Sequence, residues 1–204
     1  MLAFPALTTS YHVLPAKTTS RSLSREVPKA LRARLSNKLP ALIVSSGFAG
    51  GLRPELTTGA VLFSVNGQPE LQAALNAAGA QSGRFHCVEK VAATASRKQE
   101  LWQSTRADAV EMESKIICAV CSERNVPCAV VRVILDTADE DLPLDFSQIL
   151  NAKEQIHYGK LVLKLMKSPC RLRSLRHLQK QSAAAAEKLA NVLHRALLSP
   201  ITTP

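Results

Sequence analysis

Aromatic residues are scarce in this chain, at 4% of the sequence with a single tryptophan. Together with the lack of zinc-finger, RNP-type or helix-turn-helix spacing, this argues against nucleic acid as a partner, because such binding draws on stacking rings and recognisable reading elements. No apolar run approaches the ~20 residues of a membrane-spanning helix. Met1 to Pro5 lacks the basic flank and long apolar stretch of a signal peptide. The reading is a soluble, cytoplasmic protein with no membrane partner. Five cysteines are an odd number without disulfide-framework spacing, which fits a reducing compartment. Cys118 and Cys121 form a CxxC inside an apolar-periodic segment, but no second pair stands nearby to complete a zinc site. They read as small buried hydrophobes, with a redox or metal role as the alternative. With no dinucleotide fingerprint either, neither metal nor cofactor is expected. Acid is missing from the start of the chain, where no Asp or Glu precedes Glu26.

Basic residues are plentiful. The formal charge is +10, and between Lys160 and Lys180 seven Lys or Arg stand without an acid. Such a block can mark phosphate or nucleic-acid contact; a solvated basic face is the plainer reading. Apolar residues at 46% and charged residues at 21% are globular proportions. The length suits one domain over residues 1–204, large enough to bury a core.

Ala41-Leu-Ile-Val-Ser45 and Cys128-Ala-Val-Val-Arg-Val-Ile134 are near-continuous apolar runs, the pattern of strands buried on both faces. Leu2 to Leu7, Gly59 to Ser64 and Phe85 to Ala93 read as further strands. Val27–Leu35, Pro69–Ala78, a stretch from Arg97, Val110–Arg124 and most of the chain from Ile149 to Leu198 read as helices. Strands alternating with helices predict a three-layer α/β/α sandwich around a mainly parallel, mixed sheet. In such sheets ligands bind beyond the carboxyl ends of strands. Two places qualify: the glycine cluster Ser46-Gly-Phe-Ala-Gly-Gly-Leu52, read as a loop after its strand, and Asp136.

Asp136 ends a strand dominated by apolar residues. Desolvation there would raise its pKa and let it hold a proton near neutrality, although an ordinary strand-end Asp capping a loop would look the same. Glu111-Met112-Glu113 reads as the first turn of a helix, where carboxylates favour the helix dipole without any catalytic role.

Three segments in order resemble the nucleoside phosphorylase superfamily, and within it the hydrolytic branch of methylthioadenosine/S-adenosylhomocysteine nucleosidases. They are Ser46 to Leu52 with Leu56 and Gly59; Ala109-Val-Glu-Met-Glu113; and Val126-Pro127 leading to Arg132-Val-Ile-Leu-Asp136-Thr-Ala-Asp139. The resemblance is clear from about Leu39 to Leu150. It implies a nucleoside phosphorylase-like fold and release of adenine from a 5′-substituted adenosine such as methylthioadenosine, S-adenosylhomocysteine or aminodeoxyfutalosine, an intermediate of menaquinone biosynthesis. It also implies a homodimer. By the same resemblance Asp136 is the acid that protonates purine N7, and Glu113 binds the ribose hydroxyls. Met112 packs beneath the sugar, Phe146 covers the base, and Ala49 and Gly50 lie beside the nucleoside. For Met112 and Phe146, core packing is an equally simple reading.

The chain departs from the family pattern as well. Ala6-Leu-Thr-Thr-Ser10 stands where the family carries a water-activating glutamate, Phe48 where hydrolases often carry serine, and Leu135 where serine is usual. The segment after Ser64 is short and would leave the 5′ side of the pocket open. Phosphorolysis, with Arg53 and Arg84 as candidate phosphate ligands, is one alternative activity. A degenerate nucleoside- or nucleic-acid-binding protein is the other.

Overall fold

The computed structural model of the chain describes residues 28–33, 35, 36, 39–142 and 169–198, in the last stretch with side chains for 177–197. Proposed strand Leu2–Leu7, Phe146 and the run from Ile149 to Ser168 lie outside these residues. Residues 28–33 are helical, in keeping with the apolar spacing there.

Among the described residues, six strands form one sheet: β1 (Ile43–Gly51), β2 (Val61–Val65), β3 (Gln81–Ser82), β4 (Phe85–Cys87), β5 (Ala109–Glu111) and β6 (Cys128–Asp136). Their spatial order is β3-β2-β6-β1-β5-β4. The two longest, β1 and β6, run parallel at the centre, in keeping with their apolar-rich openings. β2 lies antiparallel to β6, and β5 antiparallel to β1, while β3 and β4 pair in parallel at the edges. The sheet is therefore mixed.

Among the described residues the helices α1 (Pro69–Ala77), α2 (Ala95–Thr105), α3 (Ser114–Glu123) and α4 (Pro169–Leu198) flank it. On one face, Ala185, Leu189, Val192 and Ala196 of α4 and Leu75 of α1 bury Val61, Phe63, Val131 and Val133. On the other, Val120 and Cys121 of α3 pack with Leu35, Val126, Ile43 and Cys128. Alternation along β1 and β6 puts Ile43 and Cys128 opposite Val44 and Val131, so helices cover both faces in three layers.

Three element boundaries differ from the sequence reading, each for a tertiary reason. The glycine cluster is not a loop. β1 continues through it to Gly51, because β6 pairs with it as far as Gly50 and β5 pairs with Gly50 and Gly51 on the other side. A Cβ at Gly50 would stand 3.2 Å from Val110 Cγ1 and 3.3 Å from Asp136 Oδ2, so the missing side chain admits a close approach between neighbouring strands. Second, Val110 and Glu111 are strand rather than helix. β5 is held between Gly50–Gly51 and Phe85–Cys87, and the helix starts only at Ser114. Third, the strand read from Phe85 to Ala93 stops at Cys87.

The CxxC pair separates. Cys121 is fully buried in the core. Cys118 instead turns its thiol to Cys128, with 2.9 Å between the sulfurs.

Candidate functional site

The carboxyl ends of β1, β5 and β6 open onto one cavity of about 230 Å³. Phe48, Ala49 and Gly50 of β1, Leu135 and Asp136 of β6, and Met112 and Glu113 beyond β5 all line it. Seven of the eight residues singled out from the sequence thus meet at one place, and the eighth, Phe146, lies outside the described residues. The remaining wall is apolar apart from Glu111: Val110 and Glu111 of β5, Val88, Val91 and Ala92 after β4, Leu142, and Leu178 of α4. Phe48 and Val91 stand at the mouth, 43% and 44% exposed.

An irregularity aims Asp136. Ala49 pairs with Ile134, but Gly50 pairs with Asp136, so Leu135 is an extra residue in β6. Without that bulge, alternation would put Asp136 on the face of Arg132 and Ile134. The shift turns it to the opposite face, beside Gly50 and Val110. There its side chain is only 7% exposed. Burial pushes its pKa above the usual aspartate range, opposed by the neighbouring ammonium of Lys98. Lys98, on α2, is wholly buried and ion-pairs with Asp136 Oδ2. Oδ2 is thus charge-compensated by the ammonium and has no other hydrogen-bond partner among the described residues.

Two residues apart, Glu111 and Glu113 have opposite environments. Glu111 is buried and saturated. Its Oε2 accepts from the backbone N–H of Glu113 at 3.0 Å and of Ser114 at 2.8 Å, and its Oε1 accepts from Ser114 Oγ at 2.6 Å. Arg132 completes the set with Nη2 at 2.9 Å from Oε2. Glu111 therefore caps α3 from outside it, satisfying N–H groups that have no partner within the helix. Although burial raises its pKa, these bonds and the Arg132 charge hold it below the usual range.

Glu113 occupies the cap position of α3 without using its side chain for capping. The side chain is 35% exposed, faces the cavity, and lies 3.6 Å from Arg132 Nη2. Burial raises its pKa, with Arg132 opposing. Arg132 is itself anchored, donating to Ser45 O at 2.8 Å and Ser45 Oγ at 3.0 Å.

Sequence reasoning missed both cations. Arg132 was visible as a charge inside an apolar strand, and a buried charge demands a partner. Lys98 gave no such signal, since it stands in the polar stretch Ala95-Ser-Arg-Lys-Gln-Glu100. The two arginines weighed as phosphate ligands lie elsewhere. Arg53 Nη1 donates to Asp108 Oδ1 at 2.9 Å, and the Arg84 guanidinium donates to Arg106 O. Among the described residues lining the cavity there is no Lys or Arg. No group of residues suited to hold a metal ion occurs among the described residues, and no described helix is long and apolar enough to cross a membrane.

Comparison with known proteins agrees with this geometry. The aminodeoxyfutalosine nucleosidase of Helicobacter pylori (strain ATCC 700392 / 26695) is 41% identical over 59 residues, covering 29% of this chain and 26% of that one. The chain thus spans about a quarter of the length of that curated relative. The 5′-methylthioadenosine/S-adenosylhomocysteine nucleosidase of Shewanella halifaxensis is 27% identical over 162 residues, covering 63% of this chain and 70% of that one. Among solved structures, the 5′-methylthioadenosine/S-adenosylhomocysteine nucleosidase of Colwellia psychrerythraea in complex with adenine shares the fold. Its TM-score is 0.56 at 15% identity, over 87% of this chain and 75% of that one. The family model described as the phosphorylase superfamily matches residues 63–166, about half of the sequence and the part that carries Glu113, Arg132 and Asp136. This chain belongs to the phosphorylase superfamily.

Proposed function

We propose that the chain is a purine nucleoside N-ribosyl hydrolase that releases adenine from a 5′-substituted adenosine. The observation that carries this reading is the pairing, in one apolar cavity, of a buried carboxyl with a raised pKa (Asp136) and a second carboxylate not consumed by capping (Glu113). Asp136 acts as general acid. Its proton passes to purine N7, the bond from C1′ to N9 breaks, and the electron pair leaves with the purine. Water then bonds to C1′ of the cation-like sugar and gives up its proton to solvent, from which the Asp136 carboxylate is reprotonated for the next cycle. Glu113 accepts hydrogen bonds from the ribose hydroxyls, and its charge steadies the sugar as positive charge develops. Met112 lies beneath the ring, where a polarisable thioether suits it. Phe48, Ala49, Gly50 and Leu135 shape the cavity around base and sugar, and Phe146 covers the base.

The absence of Lys and Arg among the described lining residues favours water over phosphate as the nucleophile, because phosphate binding relies on several such donors. The names of the relatives support methylthioadenosine, S-adenosylhomocysteine and aminodeoxyfutalosine as substrates. The same reading takes residues 1–204 as one domain, working in the cytoplasm as a homodimer; the odd cysteine count supports a reducing compartment, and exposed Phe48 and Val91 support self-association. Incubating the protein with each of the three nucleosides and following free adenine tests the reaction. Release unaffected by added phosphate is expected. Release that requires phosphate would assign phosphorolysis, and binding without release would reduce the protein to a receptor. Light scattering after gel filtration reads the oligomer.

A further inference from the structure

We propose that Lys98 is the positioning residue of Asp136: it holds the carboxyl at the cavity wall and sets the pH at which that carboxyl gains and loses its proton. Lys98 has no exposed side-chain surface, and an isolated ammonium at such a place is costly. It makes three contacts. Beyond the ion pair to Asp136, Nζ donates to Thr137 O at 2.6 Å and Glu140 O at 2.7 Å. Both carbonyls belong to the loop that leaves β6 immediately after Asp136. One ammonium therefore ties the carboxyl and its following loop to α2. The helix is anchored in turn: Thr94 Oγ1 accepts from the Arg97 N–H at 3.3 Å, and Asp141 Oδ1 accepts from the Ala95 N–H at 2.7 Å.

The charge matters as much as the tether. A general acid must release its proton and recover it each cycle, which works best when its pKa lies near the operating pH. Burial alone would drive Asp136 towards permanent protonation. The Lys98 charge opposes that drive. Among the described residues, the other charges nearby are acidic: Glu140 and Asp139 of the same loop, and Glu111 and Glu113, which line the same cavity from β5 and its end. Glu140, whose Oε2 stands 3.5 Å from the Thr137 N–H, raises Asp136 further, while Asp139 is exposed and bonded to Thr137 Oγ1. β1 and β5 present uncharged Gly50 and Val110, and α4 presents Leu178. Lys98 is thus the described cation that opposes burial at this carboxyl.

The proposal rests on the hydrolase reading only for its kinetic consequence, so the test has an arm that needs no turnover. Protein labelled with ¹³C at aspartate carboxyls is titrated by NMR, with the Asp136 signal assigned by its loss in Asp136→Asn. In Lys98→Met the Asp136 midpoint should rise by at least ~1 pH unit, the lower end of what a close opposite charge contributes. Lys98→Arg, which restores the cation, should return the midpoint to within ~0.5 unit of wild type. Lys98→Gln keeps a donor for the two carbonyls while dropping the charge, and replaces the Met variant if that chain does not fold. In adenine release from 5′-methylthioadenosine, the alkaline limb of the kcat profile should move upward with the midpoint. KM should stay within ~2-fold, because Lys98 lies behind the carboxyl and does not line the cavity. An Asp136 midpoint unmoved in the neutral variants overturns the proposal, and so does an altered KM with an unmoved midpoint, the mark of a merely structural lysine. A midpoint that moves in a protein releasing no adenine upholds the role of Lys98 and sinks the hydrolase reading instead.

Discussion

Two buried ion pairs flank the cavity, and they are built on opposite principles. In the Glu111–Arg132 pair, Glu111 takes four hydrogen bonds, and Arg132 adds two to Ser45. In the Lys98–Asp136 pair, the lysine is satisfied by two carbonyls, but the buried Asp136 Oδ2 has no hydrogen-bond partner beyond the ammonium among the described residues. Both carboxylates are desolvated, yet Glu111 titrates low and Asp136 high. The lesson is that burial alone does not decide the role of a carboxylate. When its lone pairs are all occupied, the charged form is locked and the group becomes structural. With lone pairs left open the proton can come and go, and the group is available for chemistry.

Breaking the pair whose carboxylate is saturated should have the largest effect. Arg132→Met strands Glu111 as an uncompensated buried charge, and a loss of ~3–5 kcal/mol is expected in chemical denaturation. The loss should shrink on acidification, as Glu111 becomes protonated. In the wild type the two pairs should give opposite pH dependence of stability. Glu111, lowered in the folded state, contributes stability above the ordinary glutamate pKa that is lost as pH falls through its folded value. Asp136, raised in the folded state, binds its proton more tightly when folded, so stability rises as pH falls through its folded value and the gain is complete below the ordinary aspartate pKa. A variant as stable as wild type would show that the network around Glu111 is dispensable.

Next in size is Asp136→Asn, which keeps the shape and removes the proton donor. Adenine release should slow by ~10²-fold in kcat, and the melting temperature should fall as well, because buried Lys98 loses its counter-charge. Undiminished turnover would assign the proton to another group. Smaller is Glu113→Gln, expected to lower kcat/KM by ~10-fold, since a neutral amide replaces a charge-assisted acceptor. Glu113 must be ionised to act, and its pKa is raised, so wild-type activity should fall as pH drops through a value above the ordinary glutamate range. That acid limb should vanish in the Gln variant; its persistence would place the limb on a different residue. Smallest is Thr94→Ala, which removes the cap of the helix that carries Lys98. A loss of ~1 kcal/mol in stability is expected, with little change in rate unless α2 itself shifts.

Much of the site was legible before the structure. Asp136 ends β6, and the rule that ligands sit beyond strand ends picks it out without any knowledge of packing, whereas Glu113, read as the first turn of a helix, comes forward only through the resemblance to the nucleosidases. The boundary at Glu111 was not legible. A helical period can be traced from Val110, and only the pairing of β5 with β1 and β4 makes those residues a strand. Nor could spacing distinguish Glu111 from Glu113, because the distinction lies in which carboxylate reaches the N–H groups of Ser114 and Glu113.

The sequence by itself determined the central strands, the helices around them and the residue types at the cavity, because apolar periodicity and strand-end polar residues are local patterns. Tertiary structure decided what those residues became. The extra residue at Leu135 rotates Asp136 to the other face of the sheet. Lys98 meets Asp136 across 38 positions of chain, from a helix whose composition looks solvent-facing. Arg132 chooses Glu111 over Glu113 by distance, 2.9 Å against 3.6 Å. Each outcome depends on groups far apart in sequence sharing a space without water, where charge, hydrogen bonding and proton affinity are set by neighbours rather than by the residue alone.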